Sequence, residues 1–309
     1  MKKLLFVLNS VSGKALLTKR FYEITEYFTQ KGYMVTACPV NPVKNLGTDS
    51  LSESFISEFD IIVAGGGDGT LNHVINQLME CEKRPVLGYI PAGSTNDFAK
   101  GMKIDSSVKR SCRIITDGTP FAYDIGSFNK SYFNYIAAFG AFSAISYDTD
   151  QQMKNALGYA AYIINGIAEL PQNLAYKCHM KIKADSFEEE GDYIFGAICN
   201  TISVGGMNIF GDSDVRLDDG YMEMLLIKAP DNITEAPDII NALTNGNWDN
   251  SHITFKQIKE VRIVSNEKTS WTVDGEFGGS LKQVDIKVLG GAITIMSGHK
   301  PQKRPRITG

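Results

Sequence analysis

The chain has 309 residues, of which 43% are hydrophobic and 21% charged, an ordinary composition for a folded soluble protein. Its length exceeds what one core usually holds, so two domains are expected. The formal net charge of −4 argues against a general attraction to nucleic acid or to anionic membranes. We therefore expect no nucleic-acid partner, and any membrane contact must come from a local patch.

The cysteines and the apolar runs indicate the compartment. The five cysteines are scattered without a CxxC pair, and the histidines lack metal-ligand spacing, which argues against a disulfide framework or a zinc site. The N-terminal run Leu4–Leu8 is too short for a signal peptide, and no run reaches the roughly 18–20 apolar residues that span a bilayer. We expect a cytoplasmic protein that is at most peripherally associated with the inner face of the membrane.

The first half alternates strand and helix signals. The predicted strands are Leu4–Leu8, Tyr33–Cys38, Asp60–Ala64 and Val86–Ile90. The predicted helices are Ala15–Lys31, Ser50–Glu58 and Thr70–Glu80. This alternation predicts a parallel sheet flanked by helices, in which ligands bind beyond the carboxyl ends of the strands.

After about Asp124 the pattern becomes rich in strands. The predicted strands are Tyr132–Phe142, Cys178–Lys183, Tyr193–Cys199, Tyr221–Ile227, Val261–Val264, Val284–Leu289 and Ile293–Met296. Helical patterns occur at Met153–Leu170 and Ala236–Asn245. The predicted fold class is an α/β N-terminal nucleotide-binding domain followed by a C-terminal antiparallel β-sandwich domain.

The strongest chemical signal is the glycine-rich turn Gly65–Thr70, which follows a buried strand and opens a helix. Glycine lets backbone N–H groups approach phosphate oxygens closely, and the helix directs its positive end at the same place. The carboxylate of Asp68 would repel phosphate, but it suits a phosphate-bound Mg²⁺ or a substrate hydroxyl. The alternative is a tight turn in which Asp68 caps the helix.

Two further polar turns lie at the same predicted sheet edge. The segment Gly93–Phe98 follows the next strand, with hydroxyl groups on Ser94 and Thr95 and polar groups on Asn96 and Asp97. Taken alone it could be a helix N-cap. The segment from Asn9 to Lys14 follows the first strand, and Lys14 could pair with phosphate, although an ordinary turn is an equal alternative.

Acidic residues form two more candidate sites in the second half. Asp274 and Glu276 flank a glycine, and two carboxylates this close can hold a metal or supply a general base. The alternative is a β-turn with solvated acids. The segment Arg216–Tyr221, taken alone, is simply a turn that leads into a strand.

Together, these motifs resemble the bacterial diacylglycerol kinase and lipid kinase family, whose catalytic domain is shared with sphingosine kinases. The resemblance covers nearly the whole chain in order. Its most specific part is the pair formed by Gly66–Thr70 and Gly93–Phe98, because Gly66–Thr70 alone would also suit NAD kinases and phosphofructokinases. The segment Met153–Tyr162 also resembles a helix of the family's second domain.

The resemblance implies a two-domain kinase with ATP and Mg²⁺ as cofactors. It implies an ATP-binding catalytic domain at residues 1–125, completed by about 297–309, and a lipid-binding β-sandwich domain at residues 126–296. The residues expected to contact the nucleotide are Asn9, Ser10, Val11, Ser12, Gly13, Gly66, Gly67, Asp68, Gly69, Thr70, Leu71, Asn72, Ser94, Thr95, Asn96 and Asp97.

The resemblance also implies roles for the acidic motifs. Asp68, Asp274 and Glu276 are the expected catalytic residues, with Glu276 favoured slightly as the base and Asp274 as its support or part of the metal network. The turn Arg216–Tyr221 is expected to hold a structural Mg²⁺ through the Asp219 side chain and the backbone carbonyls of Arg216 and Tyr221.

By the same analogy, the expected anionic-surface patch contains Lys14, Arg20 and Lys154. Diacylglycerol is the first choice of substrate, peripheral membrane contact is expected, and a homodimer is possible. Two other functions stay open: an NAD kinase-like or other small-alcohol kinase, and a non-catalytic nucleotide- and lipid-binding regulator. The acids Asp68, Asp274 and Glu276 argue against a regulator, which need not keep them.

Overall fold

A computed structural model describes residues 1–41, 51–93, 96–140, 177–185, 187–201, 216–245 and 247–298. Its strands are β1 Lys2–Asn9, β2 Tyr33–Val40, β3 Ile61–Gly66, β4 Val86–Pro91, β5 Thr119–Phe128, β6 Ser131–Phe133, β7 Ile136–Gly140, β8 Cys178–Ala184, β9 Phe187–Cys199, β10 Met222–Lys228, β11 Ile253–Ile258, β12 Glu260–Val273 and β13 Glu276–Ser297. Its α-helices are α1 Ser12–Lys19, α2 Phe21–Gln30, α3 Glu53–Ile56, α4 Asp68–Met79, α5 Asp97–Gly101, α6 Val108–Asp117 and α7 Ala236–Asn245. Among the helices so described, none has the length and apolar character needed to cross a membrane.

The N-terminal part is a parallel sheet covered by helices on both faces, as the sequence predicts. The strand order is β2-β1-β3-β4, and all of these pairs are parallel. Successive side chains of β1 point to opposite faces, so Leu5 and Val7 share a core with α4. Leu4 and Phe6 share the other core with α2 and α6. The carboxyl ends of β1, β3 and β4 therefore meet at one edge of the sheet.

The C-terminal part is antiparallel, which also agrees with the prediction. The strands β12, β7, β9, β10 and β11 follow one another in that order, and β8 pairs with both β12 and β9. Alternate residues of β8 are buried, as expected of a strand with one solvated face. The core of this half is built around Trp271, whose ring packs against Phe128 and Phe139.

Strand β13 connects the two halves. It pairs antiparallel with β12 and with β5, and its end pairs parallel with β4 through Ile295 and Leu87. The described strands consequently form one continuous thirteen-stranded sheet. The sheet therefore links the start of β13 to the N-terminal half of the chain.

Several predicted boundaries differ from the observed ones. The predicted helix Ala15–Lys31 is interrupted at Arg20, and its beginning is displaced because Lys14 and Ala15 have positive φ angles. The predicted strand Tyr132–Phe142 is broken between β6 and β7, and the last two predicted strands are one strand, β13. The predicted helix at Met153–Leu170 lies outside the described residues.

Candidate active site

Three loops from the first half of the chain converge at the edge of the parallel sheet. A Cβ atom added to Gly93 would lie 2.6 Å from the Cα of Gly67, and one added to Gly13 would lie 2.3 Å from the carbonyl oxygen of Ala92. Gly13 also has a φ of 56°, which side chains rarely adopt. The β1–α1, β3–α4 and β4–α5 loops therefore touch through glycines, and the three polar motifs of the sequence are neighbours in space.

Hydrogen bonds hold the end of β1 against the start of α4. The Asn9 Nδ2 donates to Oγ1 of the buried Thr70 (3.1 Å), while the Val11 N–H donates to Asn9 Oδ1 (3.1 Å). The Ser10 N–H donates to the carbonyl of Val40 on β2 (3.1 Å). These bonds orient the loop that carries the half-buried Ser12.

Asn96 shapes the third loop. Its φ is 50°, in the left-handed region that asparagine tolerates better than most residues. Its amide brackets Gly93: Oδ1 accepts the Gly93 N–H and Nδ2 donates to the Gly93 carbonyl, both at 2.8 Å. Asp97 begins α5, but Ser94, Thr95 and the Asp97 side chain lie outside the described atoms.

The residues after the glycines begin α4. Asp68 is half-buried at the first position, and its carboxylate accepts a long hydrogen bond from the N–H of Phe98 (3.4 Å). Leu71 has a side chain that is fully buried in the core, and its N–H donates to the carbonyl of Gly67 (3.1 Å), as does the N–H of Thr70 (3.0 Å). Asn72, one turn after Asp68 on the helix, is half-buried.

The acidic motif of the second half reaches this same place. Asp274 and Gly275 form a two-residue turn between β12 and β13, with φ angles of 48° and 85°. Glu276 follows on β13, and its Oε1 lies 2.8 Å from the point where a Cβ on Gly69 would stand. An exposed carboxylate from the C-terminal half thus lies over the first turn of α4.

Asp274 occupies a different environment from Glu276. It is buried, and its carboxylate accepts the N–H groups of Asn134 (2.7 Å), Tyr135 (3.0 Å) and Ile136 (3.1 Å). Burial is the main reason that the pKa of Asp274 is raised to about 7; the three N–H donors oppose the shift, and the nearby charge of Asp68 adds to it.

The backbone that binds Asp274 is supported by Tyr123, a residue that the sequence analysis missed. The buried hydroxyl of Tyr123 donates to the carbonyls of Asn134 (2.8 Å) and Asn200 (3.0 Å). Burial raises the pKa of Tyr123 well above its usual value, and the charge of Asp274 adds to the shift, so this hydroxyl stays protonated. No sequence motif marks the arrangement, because most of its polar groups are backbone atoms.

The predicted metal turn lies near another buried acid. Asp219 Oδ1 accepts the Tyr221 N–H (3.0 Å), and the buried Asp124 accepts the N–H groups of Gly220 and Gly291 (both 2.6 Å). Burial raises the pKa of Asp124, and the negative charges of Asp219 and Asp218 add to the shift. The described residues hold no group of three or more metal-binding side chains, and the predicted set needs only one carboxylate because its other ligands are carbonyls.

Two of the three residues of the predicted membrane patch lie among the described residues. Lys14 is exposed at the β1–α1 loop. Arg20 pairs with Glu23 through two hydrogen bonds of 2.9 and 3.0 Å, so its charge is largely neutralised locally. Lys154 lies outside the described residues.

Comparison with known proteins agrees with this arrangement. The diacylglycerol kinase catalytic domain matches residues 3–128, and the YegS C-terminal NAD kinase beta sandwich-like domain matches residues 137–297. The chain is 31% identical to a diacylglycerol kinase of Bacillus subtilis, covering 91% of this chain and 92% of that protein. It is also 31% identical to a diacylglycerol kinase of Staphylococcus epidermidis, covering 91% and 87%.

A solved structure shares the whole fold. The crystal structure of a diacylglycerol kinase from Bacillus anthracis superposes with a TM-score of 0.78 over 96% of this chain and 97% of that one, at 22% identity. The predicted combination of an α/β domain with a β-sandwich domain is confirmed. The chain belongs to the diacylglycerol kinase family and is a kinase that transfers phosphate to an alcohol acceptor.

Proposed function

We propose that the chain transfers the γ-phosphoryl group of ATP to the hydroxyl of diacylglycerol and so forms phosphatidic acid for phospholipid synthesis. The observation that carries this proposal is the position of Glu276 over Gly69, where a carboxylate from the C-terminal half meets the glycine-rich turn. The names of the curated relatives support diacylglycerol as the acceptor.

The glycine-rich edge is the proposed phosphate-binding surface. Its loops approach one another closely enough that a methyl group at Gly67 or Gly93 would crowd the facing backbone. The N-terminus of the twelve-residue helix α4 adds positive potential at this edge. Together with the hydroxyls of the β1–α1 and β4–α5 loops, these groups would orient the triphosphate, and positioning supplies most of the catalysis in phosphoryl transfer.

The two acids of the hairpin receive different roles. Glu276 is the proposed base: it accepts the proton of the lipid hydroxyl while that oxygen bonds to the γ-phosphorus, whose bond to ADP breaks. Both carboxylate oxygens of Asp274 already accept backbone N–H groups, so Asp274 is a positioning residue that fixes the hairpin. A general base in such a reaction contributes roughly 10²–10⁴-fold to the rate.

Asp68 is proposed to act on the metal that accompanies ATP. Mg²⁺ supplies charge neutralisation on the phosphate oxygens when it is bound there. The half-buried carboxylate of Asp68 is a suitable hard oxygen ligand at the start of α4.

A second, structural Mg²⁺ is proposed at the turn of Arg216, Asp219 and Tyr221. One carboxylate and two backbone carbonyls are the hard oxygen donors that Mg²⁺ prefers. Burial is the main cause of the raised pKa of Asp124, and the negative charges of Asp219 and Asp218 add to it; a divalent cation at this turn would offset that repulsion.

The catalytic domain would span residues 1–125 with about 297–309, and the lipid-binding domain residues 126–296. Peripheral contact with the inner face of the membrane would use the exposed Lys14, and a homodimer is compatible with the family. Vesicle sedimentation and light scattering of the purified chain would test these two points separately.

The direct test of the function is transfer of radiolabelled phosphate from ATP·Mg²⁺ to a panel of lipids in mixed micelles, with NAD as a parallel acceptor. Label in phosphatidic acid that disappears in Glu276→Gln is the expected result. Label in another lipid would change the substrate and keep the mechanism. Label only in NADP, or binding of ATP without any transfer, would overturn the proposal.

A further inference from the structure

Asn76 on helix α4 makes a two-point contact with the backbone of β6. Its Oδ1 accepts the N–H of Tyr132 (3.0 Å), and its Nδ2 donates to the carbonyl of the same residue (3.1 Å). A side-chain amide that bonds both backbone groups of one residue imitates the pairing of a neighbouring strand. Such a contact fixes both the distance and the rotation of β6 relative to the helix.

The same amide also reaches back along the helix. Its Nδ2 donates to the carbonyl of Asn72 (3.0 Å) and to Oδ1 of the Asn72 side chain. The second of these bonds directs the side-chain Oδ1 of Asn72 toward Asn76 and leaves the side-chain NH₂ group of Asn72 for other partners. Asn76 therefore contacts the helix that opens with Asp68 and the strand that leads to the second half.

Tyr132 lies two residues before the first N–H group that binds Asp274. The next residue, Phe133, ends β6, and the N–H groups of the following three residues hold the Asp274 carboxylate. A shift of Tyr132 would be transmitted to this group of donors across only one intervening residue. The Asp274 hairpin in turn carries Glu276 over Gly69, on the same helix as Asn76.

We propose that Asn76 is a positioning residue that locks helix α4 to the β6–β7 backbone and thereby fixes Glu276 relative to the phosphate-binding turn. Asn76 links α4 to β6, and the β6–β7 backbone binds Asp274. Glu276, two residues after Asp274, lies over the first turn of α4 and so completes the set of contacts. The role of Asn76 in catalysis rests on the proposed function, whereas its role in fixing the backbone does not.

The first experiment measures amide hydrogen exchange over the peptide that contains residues 130–137, with the full chain and no ligand. Asn76→Ala should accelerate exchange in this peptide by about tenfold or more, because the donors to Asp274 lose their rigid support. Gln77→Ala is the matched control: Gln77 is the half-buried neighbour on α4, and its substitution should leave exchange unchanged. Unchanged exchange in Asn76→Ala would overturn the proposal whatever the activity of the protein.

The second experiment measures steady-state kinetics with ATP and diacylglycerol in mixed micelles. Asn76→Ala should lower kcat by roughly 10–100-fold and change the KM for ATP by less than about threefold, since a small misplacement of a catalytic group acts mainly on the transition state. Asn76→Asp keeps the volume and the acceptor for the Tyr132 N–H but loses the donor, so it tests the contact if the alanine variant folds poorly. A normal kcat in a folded Asn76→Asp protein with faster exchange would contradict the catalytic part of the proposal.

Discussion

The buried carboxyl of Asp274 should make the stability of the protein depend on pH in a defined direction. Burial raises its pKa from 3.8 to about 7 in the folded state, a shift of about three units. Each unit corresponds to about 1.4 kcal/mol, so folding favours the protonated carboxyl of Asp274 over the ionised carboxylate by ~4 kcal/mol. The change Asp274→Asn removes this titration, and asparagine also accepts the positive φ of 48° at this position.

The sign follows from the direction of the shift. Because the folded pKa lies above the unfolded one, the stabilising contribution of Asp274 is fully present below about pH 4 and is lost as the pH rises through about 7. The asparagine variant loses part of the hydrogen bonding to three N–H groups at every pH, a loss of roughly 1–3 kcal/mol. Because this loss is the same at every pH, only the wild type changes through Asp274. The stability of the variant relative to the wild type should therefore rise by ~4 kcal/mol between pH 4 and pH 8.

Urea unfolding of both proteins at half-unit pH steps measures this difference directly. Asp231→Asn, at an exposed position, is the matched control for the loss of one carboxylate. Glu223 is buried with a pKa raised to about 7, chiefly by burial, and it remains in both proteins, so its contribution cancels in the comparison. A flat difference between Asp274→Asn and the wild type from pH 4 to pH 8 would refute the reasoning.

Three further predictions concern the site. Glu276→Gln should lower kcat by roughly 10²–10⁴-fold while ATP binding, measured by calorimetry, stays near wild type; retention of the wild-type rate would exclude Glu276 as the base. Gly93→Ala should weaken ATP binding by about tenfold or more, because its Cβ would stand 2.6 Å from the Gly67 Cα, whereas Gly101→Ala, whose nearest contact is at 3.9 Å, should bind normally. Lys14→Glu should reduce sedimentation with anionic vesicles at low salt more than Lys19→Glu, and equal effects would argue for a diffuse charge contribution.

The sequence predicted the parallel sheet and the position of its glycine-rich loops because this information is local. Alternating strand and helix patterns fix a parallel sheet, and glycines directly after strands mark loops at its carboxyl edge. The helix Ala236–Asn245 was predicted with the bounds that the structure has. The convergence of Gly13, Gly67 and Gly93 follows from that topology once the strand order is known.

Other features were missed because they depend on partners far away in the chain. The predicted strand Tyr132–Phe142 has the right composition, yet it breaks after Phe133 because the next three N–H groups donate to the Asp274 carboxylate, 138 to 140 residues later in the chain. The strand β5 was not predicted at all, although it pairs with β13 over most of its length. Nothing in a local pattern shows that Tyr123 would support the backbone beside Asp274.

The sequence also could not separate the roles of Asp274 and Glu276, and the hairpin between them explains why. Both acids lie within three residues, so composition and spacing treat them alike. The turn at Asp274 and Gly275 needs positive φ at both positions, which an Asp-Gly pair provides at low cost. That geometry turns the Asp274 carboxylate inward to three N–H groups, while Glu276, as the first residue of β13, stays exposed above the first turn of α4. The proposed division between a positioning acid and a base thus depends on the turn, and insertion of one residue into it should abolish transfer without removing either carboxylate.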